Sequence, residues 1–263
     1  MSMVRVQTFC GLLLAGWCVF AATGARAADT AIMAAESTVR IGIDAGYGQY
    51  QEGSPLSASG TGALVGATLG ASRLGFGAYR DAYADVEYDF SAGFMNGHGQ
   101  AVPVHGTNTY NTVIVRLGLG VPLLGGAEVI PYVAGGYQTW NHVGGGAQFY
   151  GANYQAGLIG GGLRLDLTAG PAFVVSASVE GLAVIGGSIT VPSEAASGAS
   201  STSAQERVSL DADYRLNSTW HAFAGLGLTH YSFTGGRAAN FGSLLPGANS
   251  LQVSSTFGVA YGF

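Results

Sequence analysis

Lysine is absent from this chain of 263 residues. Charged side chains of either sign make up 10 % of it, far below the quarter or so of an ordinary soluble domain. The ten cations are therefore all arginines, set against 15 acids for a formal charge of −5. An acidic surface without lysine repels a polyanion, so nucleic acid is excluded as a partner. Both cysteines, Cys10 and Cys18, fall in the first twenty residues. Later positions therefore offer no disulfide framework, thiol nucleophile or cysteine metal site. Beyond that opening segment, no run of about 18 apolar residues is long enough for a membrane helix.

The opening segment, MSMVRVQTFCGLLLAGWCVFAATGARA, carries Arg5, an apolar stretch from Phe9 to Ala22, and Ala25-Arg26-Ala27. A charged start, an apolar middle and a small-residue exit make a secretory signal peptide. Residues 1–27 are expected to be cleaved off, followed by a short N-terminal segment over 28–37. Loss of Arg5 and Arg26 takes the formal charge to −7.

What remains is rich in glycine, with 44 in the chain, and in alternation. Side chains on a strand point to opposite faces in turn, so one greasy and one small or polar face mark a sheet with two different surroundings. Val39, Ile41, Ile43, Ala45 and Tyr47 alternate with Arg40, Gly42, Asp44 and Gly46. Val86, Tyr88 and Phe90 alternate with Asp85, Glu87 and Asp89, and Val113, Val115 and Leu117 with Ile114 and Arg116. Leu163, Leu165 and Leu167 alternate with Arg164 and Asp166, and Val175, Ala177 and Val179 with Ser178 and Glu180. Val208, Leu210 and Tyr214 alternate with Ser209, Asp211, Asp213 and Arg215. Weaker segments at 62–72, 128–140 and 220–231, and a strong one at 251–263, complete about ten strands.

Connections alternate in length. Residues 122–127, 168–171 and 217–219 read as tight turns. Residues 94–109, 141–153, 187–204 and 232–249 read as long loops rich in Gly, Ser, Ala and Asn. Aromatics gather near strand ends: Tyr47, Tyr50, Phe90, Phe94, Tyr110, Trp140, Phe173, Trp220, Tyr231, Tyr261 and Phe263. That placement predicts girdles at two lipid interfaces. A sheet in hydrocarbon must close, because an unpaired backbone group there costs several kcal/mol. The pattern therefore predicts an all-β fold: a transmembrane antiparallel up-and-down β-barrel of about ten strands over residues 38–263, with both termini on the short-turn side. A soluble sandwich would alternate as well. The export signal, low charge, unequal loops and aromatic final residue favour the membrane.

The final strand, LQVSSTFGVAYGF, places Phe257, Val259, Tyr261 and Phe263 on one face. Here the chain resembles the bacterial outer-membrane β-barrel proteins, and Pro131-Tyr132-Val133-Ala134-Gly135-Gly136-Tyr137 resembles a strand of the small OmpA and opacity type. The resemblance implies residence in the outer membrane, with phospholipid and lipopolysaccharide as surroundings. It also implies recognition of those four residues by the barrel-assembly machinery.

The other parity carries Arg40, Asp44, Asp85, Glu87, Asp89, Arg116, Arg164, Asp166, Glu180, Asp211, Asp213 and Arg215. Charges facing a narrow lumen need partners, so these predict an internal ladder of acids and arginines. Asp211 and Asp213 also have the spacing of a catalytic pair. The chain resembles the omptin proteases in strand number, but Asp213 stands where their Asp-x-His pair requires histidine. His230-Tyr231-Ser232 resembles the His-x-Ser-Asn motif of the lipid A deacylases, but Phe233 replaces Asn, and no glutamate follows Glu206. His98, His105 and His142 read as separate, solvent-exposed loop residues rather than a metal site. Gly160-Gly161-Gly162 lacks the lysine and helix of a phosphate loop and reads as a place where the sheet bends. The expected role is a non-enzymatic envelope protein with exposed loops, without cofactor or metal and with no extracellular ligand specified. The alternative is a narrow, cation-preferring channel, and less favoured is an outer-membrane enzyme.

Overall fold

The computed structural model describes residues 30–53, 58–99, 102–123, 125–145, 152–191, 196–199, 203–235 and 247–263. The expected signal peptide lies outside the described residues.

Ten long strands close into one antiparallel barrel. They are β1 (Thr38–Glu52), β2 (Ala58–Phe76), β3 (Tyr79–Gly99), β4 (Val102–Leu119), β6 (Ala127–Gly145), β7 (Ala152–Gly170), β8 (Phe173–Val191), β10 (Ser203–Arg215), β11 (Trp220–Phe233) and β12 (Ala248–Gly262). Two short strands, β5 (Val121–Leu123) and β9 (Ala196–Ala199), pair with β6 and β8. Each long strand pairs with its neighbours in sequence, apart from the two short insertions, and β1 pairs with β12 to close the ring. Closure leaves no sheet edge in the lipid.

Alternation does what the sequence predicts. Val39, Ile41, Ile43 and Tyr47 are exposed on the outer wall, while Thr38, Gly42, Gly48 and Tyr50 are buried within. Leu117 and Leu119, Leu163 and Leu167, Val208 and Leu210, and Phe257 and Val259 continue the apolar wall around the ring. From Val39 to Tyr47 that wall spans nine residues, close to the 9–11 that cross a bilayer. The fold is a transmembrane β-barrel.

Two expectations about the ends need correction. The segments 94–109, 141–153 and 187–204 do not read as loops over most of their length: β3 continues to Gly99, β4 starts at Val102, and β6 and β7 run to Gly145 and from Ala152. Polar, glycine-rich composition there is compatible with ladders, because a strand pairs through its backbone and needs no apolar face where it is not in lipid. Strands β2 to β8, apart from short β5, have 18 to 21 residues, against 13 to 15 for β10, β11, β12 and β1. One side of the barrel therefore rises well above the other.

The aromatic girdle is also only half as expected. Tyr47, Phe90, Phe94, Phe173, Trp220, Tyr261 and Phe263 face outward, but Tyr50, Tyr110, Trp140 and Tyr231 point inward and are buried. Parity places them there: each lies an odd number of residues from the lipid-facing positions of its own strand.

At the short-turn end a six-residue helix, α1 (Thr30–Ala35), lies where the sequence left an unassigned segment. Its Ile32 is fully buried against Leu74, Tyr83, Ile130 and Val174. An apolar plug thus closes the mouth on the side of the termini.

The Gly160–Gly162 run sits where β7 meets both neighbours closely. A Cβ on Gly160 would run into the Gly181 carbonyl oxygen, and one on Gly162 into that of Val179. Only a residue without a side chain fits such an approach.

Candidate functional site

The interior divides into a charged layer toward the short-turn end and an aromatic layer toward the long hairpins. Arg116 on β4 stands at the centre of the first. Its Nη1 donates to Asp85 Oδ2 at 2.6 Å and its Nε to Glu180 Oε2 at 2.6 Å. Arg40 Nη2 donates to Asp85 Oδ1 at 3.2 Å and Glu87 Oε2 at 2.9 Å. Arg207 Nη1 donates to Glu87 Oε1 at 2.5 Å, and its Nη2 lies 3.0 Å from Asp89 Oδ2. Arg40, Arg116 and Arg207 thus share Asp85, Glu87, Asp89 and Glu180 across the lumen. Arg164 forms a second group nearer the plug, donating to Asp166 Oδ1 at 2.8 Å and Glu36 Oε1 at 2.5 Å. The Glu36 contact ties the turn after α1 to the barrel wall.

The remaining acids take hydroxyl or imidazole partners. Asp44 accepts from Thr256 and lies 2.8 Å from the Thr68 hydroxyl, which is also 2.9 Å from Asp89. Asp211 accepts from Ser209 at 2.9 Å. Asp213 lies 2.6 Å from Nδ1 of buried His221. Of the twelve residues expected in the ladder, Arg215 stands apart: its guanidinium reaches the Pro171 carbonyl at 2.7 Å on the short-turn rim. The turn position, not the lumen, is the polar surrounding that β10 offers at its end.

Sequence reasoning missed three members. Arg207 has the parity of Ser209 and Asp211 and becomes legible once the alternation is carried two residues upstream. His221 shares parity with Phe223 and was hidden in a segment read as apolar. Glu36 precedes the first strand, so no periodicity marks it.

The second layer is a stack of rings. Tyr231 lies 5.6 Å from Tyr110, Tyr110 5.6 Å from Trp140, and Trp140 4.8 Å from Tyr154, with planes inclined by 15–26°. Phe233 packs 5.1 Å from Tyr154, and Tyr50 packs 4.5 Å from the His142 ring. Tyr154 donates to Glu52 at 3.1 Å, and the Tyr110 and Ser250 hydroxyls lie 2.9 Å apart. His142, expected on an exposed loop, is instead fully buried on β6 and bonded to Asn108. His98 and His105 are exposed, with His105 at 2.8 Å from Asn96. No group of acids, histidines or cysteines among the described residues has the arrangement of a metal site.

Two small cavities lie in the lumen, one between the two layers and one within the charged layer beside α1. One of about 60 Å³ reaches Asp44, Asp89, Arg207, Tyr110 and Tyr231. The other, of about 100 Å³, touches Arg40, Arg116, Glu180 and Asp213. Such volumes hold a few waters rather than a continuous pore.

The residues put forward for assembly, Phe257, Val259, Tyr261 and Phe263, all face outward on the closing strand. His230 shares the outer face with Glu206, 3.6 Å away.

No protein-family model matches the sequence, and no curated protein does. Solved structures do. The outer-membrane protease OmpT of Escherichia coli is similar with a TM-score of 0.58 and 9% identity, over 87% of this chain and 97% of that one. The transport unit of the autotransporter AIDA-I from Escherichia coli gives 0.47 and 13% over 86% and 90%. At these identities the first likeness speaks for the fold: a closed barrel of the outer-membrane class.

Proposed function

We propose that this chain is an integral outer-membrane protein with a closed lumen, acting through the surface that its long hairpins raise beyond the bilayer. The observation that carries this reading is the filled interior. Ion pairs, stacked rings and the α1 plug occupy successive levels of the barrel, as expected at the small end of the barrel size range. The apolar wall supports lipid residence, with phospholipid and lipopolysaccharide around it. The outward Phe257, Val259, Tyr261 and Phe263 are what the assembly machinery would read. The tall β2–β8 side then projects into the medium, offering Asn96, His98 and His105 among the described residues.

A non-enzymatic role is part of the proposal. The Asp213–His221 pair is the best general-base arrangement in the lumen, but it belongs to the short-turn end, away from the exposed hairpins. His230 points outward with Glu206, so the His230-Tyr231-Ser232 run assembles no buried nucleophile.

Planar-bilayer recording of folded protein tests the closed lumen. The expected result is no steady conductance. A cation-selective step conductance in the wild type would replace this reading with the channel. Labelling of a cysteine placed at His98 in intact cells tests the orientation, and labelling only after cell lysis would reverse it. Incubation with lipid A and with peptides is expected to leave both unchanged.

A further inference from the structure

The short-turn rim carries arginines that lie outside the lumen. Among the described residues, the arginines outside the lumen are Arg73, Arg80 and Arg215, and all three stand at this end. Arg215 is bound to the Pro171 carbonyl. Arg73 is exposed on the outer parity of β2, and Arg80 has the parity of Ala82 and Ala84 on β3. Neither forms an ion pair among the described residues, although the chain holds more acids than arginines.

Arg73 is held in place without being neutralised. Its Nε donates to the Gly75 carbonyl at 3.1 Å. Its guanidinium carbon lies 5.6 Å from the Phe76 ring centre and 5.4 Å from that of Phe263. The two rings come from β2 and from the end of β12, on either side of the start of β1. They fix the plane of the guanidinium by cation–π attraction, and the terminal nitrogens keep their donors. Beside it runs a groove of about 350 Å³ between α1 and the rim. Met33, Leu74 and Phe263 give it apolar walls, and Ser37, Ser218 and His221 give it a polar side. Trp220 and Tyr261, 5.4 Å apart, continue the aromatic girdle at this level.

We propose that Arg73, flanked by Phe76 and Phe263, binds the phosphate of an anionic phospholipid in the leaflet facing the short turns, with Arg80 adding positive charge to the same rim. A planar guanidinium with free donors suits a phosphate diester. The rings place it where headgroup meets acyl chain. The groove's Ser37 and Ser218 hydroxyls suit a glycerol headgroup. A soluble anion would not need the aromatic flanks, which is why the site is assigned to lipid. The inference rests on the outer-membrane reading above.

The test uses the folded protein from residue 28 onward, which lacks Trp17, in phosphatidylcholine vesicles containing a minor fraction of brominated phosphatidylglycerol. Quenching of Trp220, on the same rim, reports the lipid beside it, whereas Trp140 is buried in the lumen. Wild type should prefer phosphatidylglycerol over brominated phosphatidylcholine, by about fivefold per arginine. Arg73→Gln together with Arg80→Gln should abolish the preference, the two lysine replacements should keep part of it, and Arg215→Gln should leave it intact. If the double variant fails the heat-modifiability gel for folding, Arg80→Gln alone should still lower the preference. Equal quenching by the two lipids in wild type overturns the proposal. So does loss of the preference on adding inorganic phosphate at constant ionic strength, which would make the site one for free anion. Failure of the wild type to insert into vesicles at all would instead remove the outer-membrane reading itself.

Discussion

Arg116 and Glu180 meet at 2.6 Å although β6 and β7 lie between their strands around the wall. The pair is a tie across the lumen, buried on both sides. Removing one partner leaves an uncompensated charge, which costs about 3–5 kcal/mol. Glu180→Gln should therefore lower the urea midpoint of the barrel in vesicles without changing its strand content. Arg116→Met should cost more, because Asp85 and Glu180 both lose their principal donor. Unfolding titrations followed by tryptophan fluorescence measure both, and equal midpoints for Arg116→Met and wild type would remove the tie.

Trp140 lies at the centre of the aromatic layer, in contact with Tyr110, Tyr154, Tyr50 and Phe233. Trp140→Ala should cost about 3–5 kcal/mol by the cavity it leaves. If the layer seals the lumen, the variant should also admit small ions more often than wild type in bilayer recordings. A stability equal to wild type would mean that the rings are not packed as a unit.

The two parities of β10 should differ in tolerance. Leu210 faces lipid, and Leu210→Arg should cost about 2–4 kcal/mol near the midplane. Ser209 faces the lumen beside Asp211, so Ser209→Arg gains a carboxylate neighbour and should be milder. Folding titrations into vesicles compare them, and a larger loss at Ser209 would mean that the lumen has no room for the added side chain.

The strand pattern was legible because period two has a direct physical cause: lipid on one side and a narrow interior on the other. Val39 to Tyr47 and Val208 to Tyr214 could be assigned to faces from residue type alone. Trp140 and Tyr110 could not from residue type, because an aromatic near a strand end suits an interface girdle and an internal stack equally well; their parity against Tyr137 and Val113 is what places them inside. The reach of the hairpins was obscured for a related reason. A strand standing in water needs no apolar face, so residues 94–109 carry Gly, Asn and His like any loop. Glu36 was beyond reach, since its partner Arg164 lies 128 residues away in sequence and nothing local records the pairing.

Phe263 takes the last outward position of the closing strand, and its backbone N–H donates to the Ser37 carbonyl at 3.3 Å. Phe263→Ser should lower the yield of assembled barrel in cells while leaving the refolded protein close to wild-type stability in vesicles. The separation of those readouts is the check: equal loss in both would assign Phe263 to packing alone rather than to recognition during assembly.

The seam between β1 and β12 has a consequence for synthesis. Asp44 and Thr256 are bonded neighbours across it yet 212 residues apart in sequence, and the register there runs unbroken from Thr38–Gly262 to Glu52–Ala248. A chain still lacking β12 has two raw sheet edges and cannot be a smaller barrel. Ring closure therefore waits for the final strand, and until then both edges stand open to pairing with another chain. The interval before closure is the one in which the chain is most open to proteolysis and edge-to-edge aggregation.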